Sequence, residues 1–128
     1  MVQNMDSCYE SLFTPWKIGN LEIKNRIVMT SMGGTSIFGW MEPNHFDEEA
    51  ANFLLERAKN NVGLILPGIA PIRDILFGKW LYKGEGKFKK LKVFMDELHK
   101  TGAKMFVQLT AGFGRSLAIN DLMVKAIK

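Results

Sequence analysis

Three short segments of small residues could hold a flat ligand against the main chain. They read TSMGG (30–34), PGIA (67–70) and QLTAG (108–112), and each follows an apolar run of the kind that forms a strand. Glycine and other small residues let a ligand approach the backbone closely. Gln108 adds an amide, which offers both a hydrogen-bond donor and an acceptor. These features indicate a binding site for a planar molecule, although a strand-end glutamine can also simply bond to a neighbouring loop.

Short apolar runs predict the strands that would position these segments. Residues 16–18 and 21–23 flank a Gly-Asn turn and predict a hairpin with alternating faces. The runs 26–29 and 62–66 predict strands that are buried on both faces, and Pro-Gly ends the second of them. Residues 104–109 predict the third strand of the same sheet.

Two amphipathic helices are predicted between these strands. Asp47 or Asn44 would cap the first helix, which carries Ala50, Phe53, Leu54, Arg57 and Ala58. The second helix ends at Thr101-Gly102, and its apolar face is formed by Leu91, Phe94, Met95 and Leu98. Strands that alternate with helices predict a parallel sheet with right-handed crossovers. Ligands bind at the carboxyl ends of such strands, so the three small-residue segments should lie side by side.

The composition is that of one globular domain. The chain has 128 residues, of which 47% are hydrophobic and 23% are charged, and these fractions are ordinary for a soluble protein. The single cysteine, Cys8, excludes an internal disulfide and favours a reducing compartment. The sequence contains no run of about 18 apolar residues and no signal-peptide pattern, so it predicts a cytoplasmic protein without a membrane partner.

A lysine-rich stretch between Lys79 and Lys92 raises the question of phosphate or nucleic-acid binding. Such a stretch most often forms a solvated loop or helix face, and a phosphate-attracting patch is the alternative. Aromatic residues do not alternate with the lysines, so we expect no nucleic-acid partner. His45, His99 and Cys8 show no ligand spacing, and we expect no metal site.

Four segments of the chain resemble a known family of flavin enzymes. They are LFTPWKIGNLEIKNRIVMTSM (12–32), HFDEEAANFLLERAKNNVGLIL (45–66), PGIAP (67–71) and FVQLTAGFGR (106–115). Together they are similar to the N-terminal part of an old yellow enzyme-type NADH:flavin oxidoreductase. Within that family they most resemble the branch of the 2,4-dienoyl-CoA reductases and bile-acid enoate reductases.

The resemblance implies a fold and a reaction. The fold class is α/β, as the N-terminal part of a (β/α)8 TIM barrel with about three βα units and a leading hairpin. Residues 1–11 would form a polar leader, and residues 12–128 an incomplete FMN-binding domain. The implied reaction passes a hydride from NAD(P)H through FMN to an electron-poor C=C bond, as in ene-reductases. The implied substrate is a small α,β-unsaturated carbonyl compound, an enoyl-CoA or a steroid-like molecule.

The resemblance also implies five flavin contacts. Main-chain groups of Ser31, Met32 and Gly33 would meet the isoalloxazine ring. Gly68 would approach the ring closely, and Gln108 would hydrogen-bond its pyrimidine edge. Read without the resemblance, the Ser31 hydroxyl could instead be satisfied by local backbone, and Gly68 could be a turn glycine.

The chain departs from the family pattern in ways that bear on activity. Many relatives carry proline in place of Ser31 and threonine or cysteine in place of Gly33, and the family's Gln-Leu-x-His-x-Gly-Arg ending here lacks its histidine. The family's catalytic residues, its FMN phosphate loops and the iron–sulfur cluster of its larger members lie beyond the third strand. We therefore expect this chain alone to be inactive. The alternative interpretation is a self-associating α/β module, a homo-oligomer that covers its sheet edges and has a binding or structural role.

Overall fold

The computed structural model describes residues 7–32, 35–37, 46–71 and 85–110. A 3-10 helix, Ser7–Phe13, precedes the first strand. The strands are β1 (Trp16–Ile18), β2 (Leu21–Ile23), β3 (Val28–Met29), β4 (Leu64–Ile65), β5 (Ala70–Pro71), β6 (Lys104–Met105) and β7 (Leu109–Thr110). The helices are α1 (Glu48–Lys59) and α2 (Gly86–Lys100). The candidate cap Asn44, His45 and the lysines before residue 85 lie outside the described residues.

The central sheet is parallel, with β4 between β3 and β6, and it confirms the predicted α/β arrangement. Its register aligns Met29, Ile65 and Met105 across the three strands. Ile65 belongs to the hydrophobic core that the helices share, and the two methionines pack against it. β1 and β2 form the predicted antiparallel hairpin, and Gly19 takes the positive φ of 57° that its turn requires.

Helix α1 begins at one of the two caps that the sequence predicted. Asp47 is the N-cap residue, and its Oδ1 accepts a hydrogen bond of 2.9 Å from the Ala50 N–H. This bond satisfies one of the first-turn N–H groups, which have no partner within the helix. The buried face of α1 is made of Ala50, Ala51, Leu54 and Ala58. Small residues at three of these four positions allow the helix to pack closely on its neighbours.

Helix α2 has the predicted apolar face, with one addition. Phe94 and Leu98 are buried, while Leu91 and Met95 are partly buried and pack against the core. Lys87 is also buried, with only 1% of its surface exposed. The prediction of a solvated lysine face is therefore wrong for this residue. Lys87 lies four residues before Leu91, and positions four apart share one face of a helix.

The burial of Lys87 predicts a specific dependence of stability on pH. Desolvation lowers the pKa of its ammonium group below the ordinary value of 10.5. Between the lowered pKa and that ordinary value the unfolded chain binds more protons than the folded one, so the free energy of unfolding rises with pH. Substituting Lys87→Met should reduce this rise, measured by urea unfolding from about pH 8 to about pH 10.5.

The matched control for this measurement is Lys89→Met, because Lys89 is an exposed lysine on the same helix. Lys24 remains in both variants, and burial lowers its pKa as well. Part of the alkaline rise should therefore persist after Lys87 is replaced. An unchanged rise in the Lys87→Met protein, or an equal reduction in the control, would contradict the assignment.

The predicted third strand, 104–109, is divided into β6 and β7. The Lys104 N–H donates to Gly63 O at 2.9 Å, and the Phe106 N–H donates to Ile65 O at 3.0 Å. In a parallel ladder of this register the next N–H toward β6 would come from residue 67, and Pro67 has none. The ladder therefore stops, and β7 pairs with β5 instead. The prediction of one continuous strand was wrong for this reason.

The two predictions of strands buried on both faces have different outcomes. Leu64 and Ile65 are both buried, which confirms the prediction for the run 62–66, although only these two residues form a strand. Val28 in β3 is 36% exposed, so the prediction for the run 26–29 was wrong. β3 lies at one edge of the three-stranded sheet, and no described strand covers its outer side.

The amino ends of the strands lie near a lysine that joins both helices. Lys24 Nζ donates to Ala58 O in α1 at 3.3 Å and to Thr101 O at the end of α2 at 2.9 Å. The last carbonyl groups of a helix have no partner within it, and the helix dipole makes that end negative. One ammonium group therefore stabilises the carboxyl ends of both helices at once.

Candidate functional site

The ends of β3 and β4 are joined by the hydroxyl of Ser31. Ser31 Oγ donates a hydrogen bond of 2.8 Å to Pro67 O. This carbonyl lies where the ladder between β4 and β6 has stopped, so the hydroxyl provides it with a donor. The Ser31 hydroxyl is thus satisfied by main chain, but by a carbonyl 36 residues away in the sequence and not by the local backbone that the alternative expected. Because its proton is engaged, the hydroxyl can offer a ligand only an acceptor.

Gly68 is held by the loop that follows β3. Its N–H donates to Thr35 O at 3.1 Å, and Ser36 Oγ donates to Ile69 O at 2.9 Å. A methyl group added at Gly68 would lie 2.5 Å from Ser36 N and 2.9 Å from Ser36 Cα. Close approach of this loop therefore explains why residue 68 is glycine, whatever else binds there.

Gln108 presents an exposed side-chain amide at these strand ends. Its main-chain carbonyl accepts a hydrogen bond of 2.8 Å from the Ala70 N–H, which fixes residue 108 beside the loop that follows β4. Its side chain is exposed, and the amide bonds to no group in the described part of the chain. The alternative of an amide that bonds a loop is therefore not observed there. Both the donor and the acceptor of this amide can meet a ligand.

Met32 and Gly33 complete the set of predicted contacts. Met32 is exposed, and its carbonyl oxygen accepts a hydrogen bond of 2.9 Å from Thr35 Oγ1. Gly33 lies outside the described residues. Sequence reasoning missed Thr35 and Ser36, whose hydroxyl groups fasten the loop after β3. Their position just after a glycine pair was the available signal, since a flexible segment needs such bonds to hold one conformation.

Residues 31, 67, 68 and 108 together form what we call the strand-end ledge. The bonds Ser31–Pro67 and Ala70–Gln108 place the ends of three neighbouring strands side by side, as the parallel arrangement predicted. The ledge can position a planar polar ring through one free amide and through close backbone contact. None of its four residues is ionisable, so the ledge can orient a ligand but supplies no titratable group of its own.

Other features of the described residues lie away from the ledge. A groove of about 350 Å³ runs between α1 and α2. Its lining residues are Phe46, Glu48, Ala51, Asn52, Leu55, Lys90, Val93, Phe94 and Glu97. Within the described ranges, no three His, Cys, Asp or Glu side chains are grouped as metal ligands would be. Over the same ranges, no helix combines the length and the apolar character needed to cross a bilayer.

A parallel sheet that presents a free amide and close backbone contacts at the carboxyl ends of its strands is typical of ligand-binding α/β proteins. The family model for the NADH:flavin oxidoreductase / NADH oxidase family matches residues 11–125. The chain belongs to this family. The predicted resemblance to old yellow enzyme-type proteins is confirmed.

Individual relatives agree with this membership. Cinnamate reductase from Clostridium sporogenes is 34% identical over 118 residues, which are 87% of this chain and 17% of that protein. A solved complex of 2-naphthoyl-CoA reductase with 2-naphthoyl-CoA is 26% identical, with a TM-score of 0.63 over 80% of this chain and 16% of the other. The old yellow enzyme from Trypanosoma cruzi is 22% identical, with a TM-score of 0.60 over 80% of this chain and 27% of the other.

The matched fractions of these proteins show how much of their fold this chain contains. The structural neighbours are TIM barrels, and this chain spans less than a third of each of the two described above. The chain has the N-terminal portion of a (β/α)8 barrel, as predicted. It also spans only 17% of the length of cinnamate reductase.

Proposed function

We propose that the strand-end ledge binds the isoalloxazine ring of FMN in an NAD(P)H-dependent reductase of the ene-reductase type. The observation that carries the proposal is the Gln108 amide, which is exposed and makes no hydrogen bond among the described residues at the point where three strand ends meet. The pyrimidine edge of a flavin presents both donors and acceptors, which a primary amide can match. Membership of the NADH:flavin oxidoreductase family supports this choice of ring.

The other ledge residues would fix the ring rather than react with it. Ser31 holds the end of β3 on Pro67, so their main-chain groups keep a constant position beside the ring. Met32 and Gly33 follow directly and would contribute main-chain contacts. Gly68 permits the loop after β3 to lie flat on the loop after β4. When bound, FMN supplies the hydride transfer from NAD(P)H to an electron-poor C=C bond.

The proposed acceptor is a C=C bond conjugated to a carbonyl group. Two relatives are named for conjugated aromatic acyl compounds, cinnamate and 2-naphthoyl-CoA. An α,β-unsaturated carbonyl compound or thioester, or a larger steroid-like enone, fits the same chemistry. We propose that residues 1–128 do not catalyse this reaction alone, because the chain spans only 17% of the length of cinnamate reductase and the described ledge adds no ionisable side chain. The FMN phosphate site and any iron–sulfur cluster would belong to other segments of a complete protein.

A direct test measures FMN binding by quenching of flavin fluorescence. The chain would be joined to the remainder of Clostridium sporogenes cinnamate reductase in place of the segment that it matches. This fused protein should bind FMN, and Gln108→Leu should weaken binding by about tenfold, the loss expected for one to two hydrogen bonds. Asn52→Leu is the matched control, because Asn52 is an exposed amide on α1. Equal affinities of the Gln108→Leu and unsubstituted proteins would refute the proposed contact.

A second candidate function is a self-associating α/β module without catalysis. The specific observation that favours it is the open outer edge of β3 and of β6 in the described sheet. Such a homo-oligomer would bury its edges without binding flavin. The state of association of the purified chain, measured by light scattering after size-exclusion chromatography, distinguishes the two candidates: a compact monomer would contradict the self-associating module.

A further inference from the structure

The hydroxyl of Ser31, just beyond β3, is held in a fixed direction. Its proton points to Pro67 O, 2.8 Å away, and that carbonyl receives no other hydrogen bond from the described residues. Within the same described ranges no group donates to Ser31 Oγ, and the residue is only half-buried. The hydroxyl oxygen can therefore meet a ligand, and it meets that ligand as an acceptor alone.

This acceptor lies across the sheet from the Gln108 amide. β4 separates β3 from β6, and Ser31 and Gln108 follow the two outer strands. Two strand spacings amount to about 9–10 Å. A tricyclic ring whose pyrimidine edge meets Gln108 would therefore extend over the end of β4 toward Ser31. Beyond the pyrimidine ring of a flavin, the one ring nitrogen without a substituent is N5.

The hydrogen-bonding character of N5 depends on the oxidation state of the flavin. In the oxidised ring N5 has a lone pair and accepts hydrogen bonds. A hydride from NAD(P)H brings two electrons into the ring and leaves a hydrogen on N5, which then donates. An acceptor-only hydroxyl would bond to the reduced ring, whereas it would set lone pair against lone pair in the oxidised ring.

We propose that the Ser31 hydroxyl, held by Pro67, accepts a hydrogen bond from N5–H of reduced FMN and so raises the reduction potential of the flavin. This inference rests on the proposed binding of FMN at the strand-end ledge, and it adds a preference for one oxidation state. The Gln108 amide has no such preference, because it offers both a donor and an acceptor. Gly33 has no side chain that could provide one.

The test compares the dissociation constants of oxidised and of reduced FMN for the fused protein described above. Apoprotein is equilibrated with each form, the reduced one under anaerobic conditions, and unbound FMN is separated by ultrafiltration and quantified by its fluorescence after reoxidation. Ser31→Ala should weaken the binding of reduced FMN about tenfold relative to oxidised FMN, since one hydrogen bond is lost and one repulsion is relieved. For a two-electron couple this change lowers the potential by about 30 mV.

Three further variants separate this contact from a general loosening of the ledge. Ser31→Thr retains the hydroxyl and should keep the ratio of the two constants. Ser36→Ala removes the hydroxyl that bonds to Ile69 O at 2.9 Å, so it should change both constants by the same factor. Ser31→Cys replaces Ser31→Ala if that variant does not fold, and it should shift the ratio in the same direction, because a thiol is a weak acceptor.

The outcomes distinguish this inference from the proposed function. An unchanged ratio in the Ser31→Ala protein, with the expected loss of affinity in Gln108→Leu, would overturn the role of Ser31 and leave the flavin site in place. A ratio that Ser36→Ala shifts as far as Ser31→Ala would also overturn that role, since the effect would then come from the loops. A fused protein that binds neither form of FMN would overturn both proposals.

Discussion

Replacing Asn25 by alanine is expected to lower the free energy of unfolding by about 2–4 kcal/mol, because a buried amide with two side-chain hydrogen bonds is lost. Asn25 is only 4% exposed. Its Nδ2 donates to Asn61 O at 2.6 Å, and its Oδ1 accepts from the Ile27 N–H at 3.1 Å. Asn61 has a φ of 71°, a left-handed conformation that asparagine tolerates better than most residues with a side chain, and the bond from Asn25 helps to hold it.

The size of this effect follows from how tightly the side chain is enclosed. A methyl group added at Gly63 would overlap Asn25 Oδ1, so the amide lies directly against the main chain before β4. Alanine at position 25 would leave the Ile27 N–H without its partner and would open a space against Gly63. The main-chain bond from Trp16 Nε1 to Asn25 O, 2.7 Å long, does not depend on the side chain and should remain.

Asn60→Ala is the matched control for this prediction, measured by urea unfolding. Asn60 Nδ2 also donates to a carbonyl, Glu56 O at 2.9 Å, but the bond is exposed. Water can replace an exposed partner, so the loss should be at most about 1 kcal/mol. If the two variants were destabilised equally, burial of Asn25 would not be the reason for its contribution.

The elements that sequence reasoning predicted correctly are those defined by local patterns. The Gly-Asn turn predicted the hairpin, and Gly19 does adopt a positive φ. The spacing of Leu91, Phe94 and Leu98 predicted the buried face of α2. A carboxylate placed before Glu48 predicted the cap of α1. In each case the interaction spans only a few residues, so the sequence near it contains the relevant information.

The errors arose where a distant residue decides the outcome. Pro67 divides the predicted strand 104–109, but only the register between β4 and β6 shows which hydrogen bond it removes. Val28 is exposed because of its place at the edge of the sheet, which its own sequence does not reveal. Lys87 is an exception. Its spacing of four residues from Leu91 indicated a place on the buried face of α2, but its charge favoured the prediction of an exposed side chain.

The candidate site divides in the same way. The positions of the three strand ends followed from the alternation of strands and helices, and the ledge brings Ser31, Gly68 and Gln108 to one edge of the sheet. The hydrogen bonds that fasten the ledge could not be predicted from this alternation. Ser36 reaches Ile69 across a sequence separation of 33 residues. A contact of this kind depends on how two loops pack, which no local pattern specifies.

Replacing Gly68 by alanine is expected to lower the free energy of unfolding by about 1–3 kcal/mol, the range for adding an atom where there is no space. The new methyl group would lie 2.5 Å from Ser36 N and 2.9 Å from Ser36 Cα. Both atoms are main chain, so no side-chain rotation relieves the contact. The loop after β3 must instead move off the loop after β4, which would weaken the bonds from Gly68 N–H to Thr35 O and from Ser36 Oγ to Ile69 O.

Two further variants separate this contact from a general cost of replacing glycine. Gly19→Ala meets no atom within 4 Å, and its cost should come only from the positive φ, about 1 kcal/mol. The double variant Gly68→Ala with Ser36→Gly should not recover stability, because Ser36 N and Cα remain in place. Recovery in urea unfolding would show that the Ser36 side chain, and not the main chain, sets the limit. In the fused protein described above, Gly68→Ala should also weaken FMN binding, since displacement of this loop would carry the main-chain groups of Ser31 and Met32 away from the proposed position of the ring.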